Sequence, residues 1–142
     1  MIRDLRQQPN DVAAALDRLA IRELIDGYSD AVNRVDGAAW IECWAQDARW
    51  IIRGKQIEGR ESILQAWTRA MDQFENVFFT AFPGHLSVRG DEAEAVTHTL
   101  EYLKPKNAPA KLQSGIYRDK LKCLRGAWVF VERSFQPKEL PL

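Results

Sequence analysis

Few side chains in this sequence could move a proton near neutral pH. There are two histidines, His85 and His98, and three tyrosines in 142 residues. Histidine is the side chain that titrates closest to neutrality, so either one could serve as the sole base of a reaction. His85 follows Pro83-Gly84 and reads either as an edge-strand surface residue or as a base at a bend. His98 alternates with Val96 and Leu100, which sets it against a core or a pocket. Tyr28 falls within an apolar helical stripe, so its ring should be buried and its hydroxyl should need a partner. It is either a core tyrosine or a general acid and orienting group. Asn33, near the end of the same helix, is a helix-end residue or an amide that orients a ligand. Arg133 lies in VFVERSF. It is a solvated outer-face arginine, an ion-pair partner for Glu101, or the cation that holds an oxyanion.

Other chemistries lack their residues. No HxH, HExxH or CxxC spacing occurs, so no metal site is expected. No glycine-rich phosphate loop is present, and neither Ser62 nor Ser114 sits in GxSxG. Nucleotide phosphates therefore have no obvious cradle. Cys43 and Cys123 read as small buried hydrophobes.

These candidates need a scaffold. Twenty basic and 20 acidic residues give no net charge, which leaves no electrostatic footprint for nucleic acid. Apolar residues form 46% of the chain and charged residues 28%, as in a globular protein that buries a core. One domain over 1–142 is expected, with loosely held ends at 1–10 and 136–142. No apolar run is long enough to span a membrane, and the charged N-terminus lacks the apolar core of a secretory leader. A cytoplasmic location is the expectation. Five tryptophans point to a packed core or an aromatic-lined cavity.

Pro9-Asn10-Asp11 is a helix-start signal. Ile21, Leu24, Ile25, Tyr28, Val32 and Val35 then step by three and four along one helical stripe, which Asp36-Gly37 ends. A short second helix carries Trp40, Ile41 and Trp44. ARWIIRG and QIEG read as strands, and a third helix spans Gly59 to Phe74. Four β-rich runs follow, with a bend or bulge expected at Pro83-Gly84. Helices first and strands after is an α+β order. Helices over a curved, mostly antiparallel sheet leave a pocket of the kind that binds small molecules.

The segments AIRELIDGYSDAVNRVDGAAWIECWAQDARWII, IEGRESILQAW, VRGDEAEAV and GIYRDKLKCLRGAWVFVERSF, in this order, resemble the SnoaL-like branch of the nuclear transport factor 2-like superfamily. The resemblance runs from about Leu16 to Phe135. It implies a cone-shaped α+β barrel around an apolar pocket. It also implies the cofactor-free chemistry of polyketide cyclases, scytalone dehydratase and hexachlorocyclohexane dehydrochlorinase. In dehydratase-like members an Asp at the end of the first helix orients a His on a later strand. By resemblance Tyr28 falls on an assisting tyrosine, Asn33 on the Asp position and about Ala81 on the His position. Trp50, Gln113, Tyr117 and Arg133 fall on positions that line the pocket.

The expected function is therefore a cofactor-independent lyase or isomerase of the elimination type. Its substrate would be a hydrophobic, aromatic or polycyclic small molecule. Tyr28, His85, Arg133 and Asn33 are the catalytic candidates, and Trp50, Gln113, Tyr117 and His98 the substrate-binding ones. The alternative is a binding or accessory subunit like the small subunits of ring-hydroxylating dioxygenases. Neither a nucleic acid nor a membrane partner is expected. Self-association as a trimer or dimer is, which family members commonly show through the open sheet face.

Overall fold

Helical structure follows the three-four spacing of the apolar residues. In α1 (Val12–Arg34) Ile21, Ile25, Tyr28, Ala31 and Val32 are buried along one stripe. The structure, a computed structural model, describes residues 12–141; the Pro9-Asn10-Asp11 signal and the loose end expected over 1–10 lie outside them. Val35, expected to continue the stripe, sits just past α1 at φ 53° with its side chain exposed. The left-handed turn that closes the helix carries it away from the core. Asp36 caps α2 (Gly37–Glu42), its carboxylate accepting from the Ala39 N–H at 3.0 Å.

Trp44, expected on this second helix, instead opens β1 (Trp44–Ile52). A tight turn at Arg53-Gly54, both left-handed, leads into β2 (Lys55–Glu58). After α3 (Arg60–Met71) come the long strands β3 (Phe74–Arg89), β4 (Glu92–Pro105), β5 (Lys111–Leu124) and β6 (Ala127–Leu140).

The strands make one sheet in the order β2-β1-β6-β5-β4-β3. β1 and β6 are parallel and all other neighbours antiparallel. This is the expected α+β architecture, a curved, unclosed mixed sheet with helices packed against one face. α1 lies on β3, and α3 on β1 and β2. Within the end expected to be loosely held, Gln136 to Leu140 extend β6 and pair with Ile116 to Leu112 of β5.

Four tryptophans pack together inside. Trp40 stacks on Trp67 with centroids 4.8 Å apart and meets Trp44 and Trp50 at 5.4 and 5.6 Å. Trp128 is separate, and its indole N–H donates to Asp17 on α1 at 3.1 Å. Among the described residues no helix is long and apolar enough to cross a membrane.

Two one-residue bulges decide which side chains face inward. Along a strand, side chains alternate between the two faces, and one extra residue inverts the alternation beyond it. In β3, Pro83 pairs with Thr97 and His85 with Val96, leaving Gly84 as the extra residue. In β6, Phe130 pairs with Leu121 and Glu132 with Lys120, leaving Val131 as the extra residue.

Candidate active site

The inner face of the sheet, α1 and α3 enclose a cavity of about 680 Å³, within the usual size of small-molecule sites. Tyr28 and Val32 enter it from α1, and Trp67, Met71 and Arg69 from α3. Trp50, Ile52, Arg53, Lys55 and Ile57 come from the β1–β2 hairpin. Phe74, Val77 and Phe79 on β3, Glu101 and Leu103 on β4, Gln113 and Tyr117 on β5 and Phe135 on β6 complete the sheet side. The walls are thus mainly apolar and aromatic, with a few polar groups among them.

Four of the eight candidate residues line this cavity: Tyr28, Trp50, Gln113 and Tyr117. The Tyr28 and Tyr117 hydroxyls are 3.4 Å apart. Burial raises the pKa of both phenols, strongly for Tyr117, so both stay protonated near neutrality. Each hydroxyl carries one proton; one of them is given to the other hydroxyl in this contact, and the second is free for an acceptor in the cavity. A close approach at Gly115 positions this wall. A Cβ there would collide with the Phe135 ring, and without it Phe135 stacks on Tyr117 at 4.5 Å.

Arg133 takes a place none of the sequence alternatives described. Its guanidinium is 1% exposed and grips Asp119, not Glu101, through Nε–Oδ1 at 2.7 Å and Nη2–Oδ2 at 3.1 Å. The Thr97 hydroxyl donates to the same carboxylate at 2.8 Å. The rings of Tyr117, Phe130 and Tyr28 cover the guanidinium at 3.7, 4.0 and 4.5 Å. Burial, the largest single influence, disfavours its charge, but the attraction and hydrogen bonding of Asp119 together with the neighbouring Tyr28 and Tyr117 outweigh it, and the cation is held more firmly than usual. Arg133 is therefore a sealed support behind the tyrosines, with no surface on the cavity. Its positive field opposes the burial effect on Tyr28.

The remaining candidates lie outside. The Gly84 bulge pairs His85 with outward-facing Val96, and His85 is exposed. His98, also outward, stacks on Phe82 at 5.5 Å. Asn33 is spent on backbone: its Nδ2 donates to the Phe79 carbonyl and its Oδ1 accepts from the Phe79 N–H, both at 2.7 Å. Neither histidine reaches Tyr28 or Asn33.

The sequence reading missed Glu101 as a cavity residue and Asp119 altogether. Both had a signal in the two-residue period. Glu101 shares its face with Thr97, Thr99 and Leu103, and Asp119 follows Gln113 and Tyr117 on theirs. Glu101 is half-buried. Burial pushes its carboxyl up to about 7, while hydrogen bonding to Gln113 and the charges of Arg53 and Lys111 pull the other way. Burial likewise lifts the Cys43 thiol to about 11, leaving it inert. Among the described residues no group of three metal-ligating side chains occurs.

The sequence pattern of the SnoaL-like domain matches residues 13–134. No curated protein sequence matches the chain. Among solved structures, the dehydrochlorinase LinA superposes with a TM-score of 0.85 at 21% identity, covering 93% of both chains. LinA-type3 hexachlorocyclohexane dehydrochlorinase from Novosphingobium barchaimii LL02 gives 0.84 at 18%, covering 93% of this chain and 94% of that one. A scytalone-dehydratase-like protein from Novosphingobium aromaticivorans DSM 12444 gives 0.80 at 16%, covering 91% of each. At these identities the likeness is one of fold.

Proposed function

The chain belongs to the SnoaL-like family, and from that premise we propose that it is a cofactor-independent lyase or isomerase acting on a hydrophobic, aromatic or polycyclic small molecule. The observation that carries this reading is the pair of protonated tyrosine hydroxyls, Tyr28 and Tyr117, presented together inside an aromatic cavity. A hydroxyl donor backed by a second in a preorganised site stabilises negative charge that develops on a substrate oxygen, such as an enolate or phenolate. The rings around them hold an aromatic substrate and exclude water. Trp50 and Gln113 are substrate contacts in this reading, Tyr28 and Tyr117 the electrophilic pair, and Arg133 positions both phenols.

The exposed apolar residues Phe78, Phe82, Leu100 and Tyr102 on the outer sheet face support self-association there. A cytoplasmic, homo-oligomeric enzyme fits these features.

The test is turnover on a panel of aromatic and polycyclic hydroxy and halogenated compounds, with loss of water or hydrogen halide read by mass spectrometry. Tyr28→Phe should lower kcat on the order of 100-fold, with KM changed less than about threefold. Unchanged turnover removes Tyr28 from the mechanism. A wild-type protein that co-purifies with a large oxygenase subunit and turns nothing over is the accessory subunit instead.

A further inference from the structure

The tyrosine pair can hold an oxyanion but cannot take a proton from carbon, because burial keeps both phenols protonated. Both histidines face away from the cavity, and the Asn33 amide is occupied by the Phe79 backbone. What remains on the cavity wall, among the described residues, is one carboxyl group, Glu101. It stands on β4 opposite Phe79 of β3 and Gln113 of β5. All three line the cavity, so the side chain has an aromatic ring on one flank and an amide on the other.

We propose that Glu101 is the proton-abstracting base of this site, acting on a C–H bond next to a carbonyl whose oxygen rests on Tyr28 and Tyr117. This rests on the lyase or isomerase reading above and supplies the base it lacks.

The geometry fits two groups serving one substrate. Glu101 pairs with Gln113, and Tyr117 lies four residues along β5, which is roughly 13 Å between backbones at about 3.3 Å per residue. Both side chains stand on the same face of the sheet and line the same cavity, and that spacing leaves room for a C–H and the adjacent carbonyl between them. The charge of Glu101 is felt at Tyr117.

In the step, the Glu101 carboxylate takes the proton and the C–H electron pair moves into an enolate. The enolate oxygen receives a hydrogen bond from the tyrosine pair, in which one hydroxyl donates to it and the other supports the donor. As the enolate collapses, a carbon–carbon double bond forms and the bond to the leaving group on the next carbon breaks. The leaving group departs with that electron pair, and Glu101 returns its proton to it. No outside oxidant or reductant is needed.

The groups that tune this carboxyl come from every side. Arg53 and Lys111 favour its charged form. Lys55 and Arg69 share the cavity wall, and Glu139 of β6 stands opposite Gln113. β3 contributes only the Phe79 ring at this level. A carboxyl lifted to about 7 is a stronger base than an ordinary glutamate, and at neutral pH half of it is still ionised.

The experiment uses 2-tetralone, an apolar bicyclic ketone, and follows by NMR the exchange of its α-protons into D2O. Affinity for 2-naphthol, read by fluorescence, reports the intact cavity. The wild type should accelerate exchange, with an enzyme-dependent rate that rises through an inflection near pH 7. Glu101→Gln should lose about 100-fold of that rate or more while binding 2-naphthol within about threefold of wild type. Glu101→Asp should recover part of it, and His85→Gln should leave it unchanged.

Exchange that survives in Glu101→Gln but fails in Tyr28→Phe overturns Glu101 as the base and leaves the lyase reading standing. A wild type that binds 2-naphthol without accelerating exchange, or binds neither compound, overturns both. Carboxyl-carbon NMR of protein labelled at glutamate needs no variant. One carboxyl should titrate near 7, and a set that all titrates in the ordinary range of about 4 overturns the proposal.

Discussion

The bulge in β3 and the bulge in β6 have the same form and opposite results. Gly84 in β3 is an extra residue, and after it His85 faces solvent where regular alternation would turn it inward. Val131 in β6 is also an extra residue, and after it Arg133 faces inward where regular alternation would turn it out. One insertion removes an imidazole from the cavity, and the other seals a guanidinium behind it. Which polar groups serve the site therefore depends less on their positions in the sequence than on two unpaired residues in the ladder. A strand keeps one face buried because its apolar set must stay there. The polar residues are carried along by that constraint.

The inward side of this contrast should give the largest effect when broken. Asp119→Ala leaves the Arg133 guanidinium, 1% exposed, without its counter-charge. Chemical denaturation should register a loss of about 3–5 kcal/mol. A loss below about 1 kcal/mol would mean that Arg133 finds water, and that the β6 bulge does not seal it.

Glu101 sharpens the contrast, since it lies on the inner face without any bulge to put it there. Its folded pKa of about 7 lies above the ordinary value of about 4.3. The native state therefore binds more protons than the unfolded chain between those values. Stability contributed by the neutral acid is present at low pH and is lost as pH rises through about 7. Glu101→Gln should match wild type near pH 4. At pH 8 it should be more stable, on the order of 2 kcal/mol after allowing for the carboxyl's partial contact with solvent. Thermal melts across that range give the difference directly, and a constant offset would contradict it.

The outward side should give the smallest effect. His85→Gln should change stability by less than about 0.5 kcal/mol, as exposed substitutions usually do. A melt shifted by more than that would mean the imidazole has a partner inside.

The sequence was most readable where one period ran unbroken. The α1 stripe from Ile21 to Val32 is buried as its spacing predicts, and β5 occupies the whole run from Lys111 to Leu124. Tyr28, Gln113 and Tyr117 belong to those two elements, and all three reach the cavity. Trp50 lies in β1, where the run ARWIIRG was already read as a strand. Reading failed where pairing, not local pattern, decides the outcome. Pro83-Gly84 signalled the β3 bulge, though not which faces it would exchange, and nothing in FVERS says that Val131 will be left unpaired, because that is fixed by the partner strand. Gln136 to Leu140 looked loose for a similar reason: PKEL has little strand propensity of its own and is held by its ladder to β5. Glu101 was legible from parity alone, but its chemistry comes from burial, which parity does not measure.

The pair of hydrogen bonds between Asn33 and the Phe79 backbone carries one more consequence. The amide donates to a carbonyl and accepts from an N–H, both at 2.7 Å, imitating a peptide group and tying α1 to β3. A carboxylate there could replace only the accepting half and would set its second oxygen against the Phe79 carbonyl. Asn33→Asp would thus loosen the helix from the strand without gaining a partner histidine, since Ala81 and an outward His85 offer none. The amide is held in place by its own pairing, and an aspartate at this position would need a compensating change at the Phe79 backbone to keep helix and strand joined.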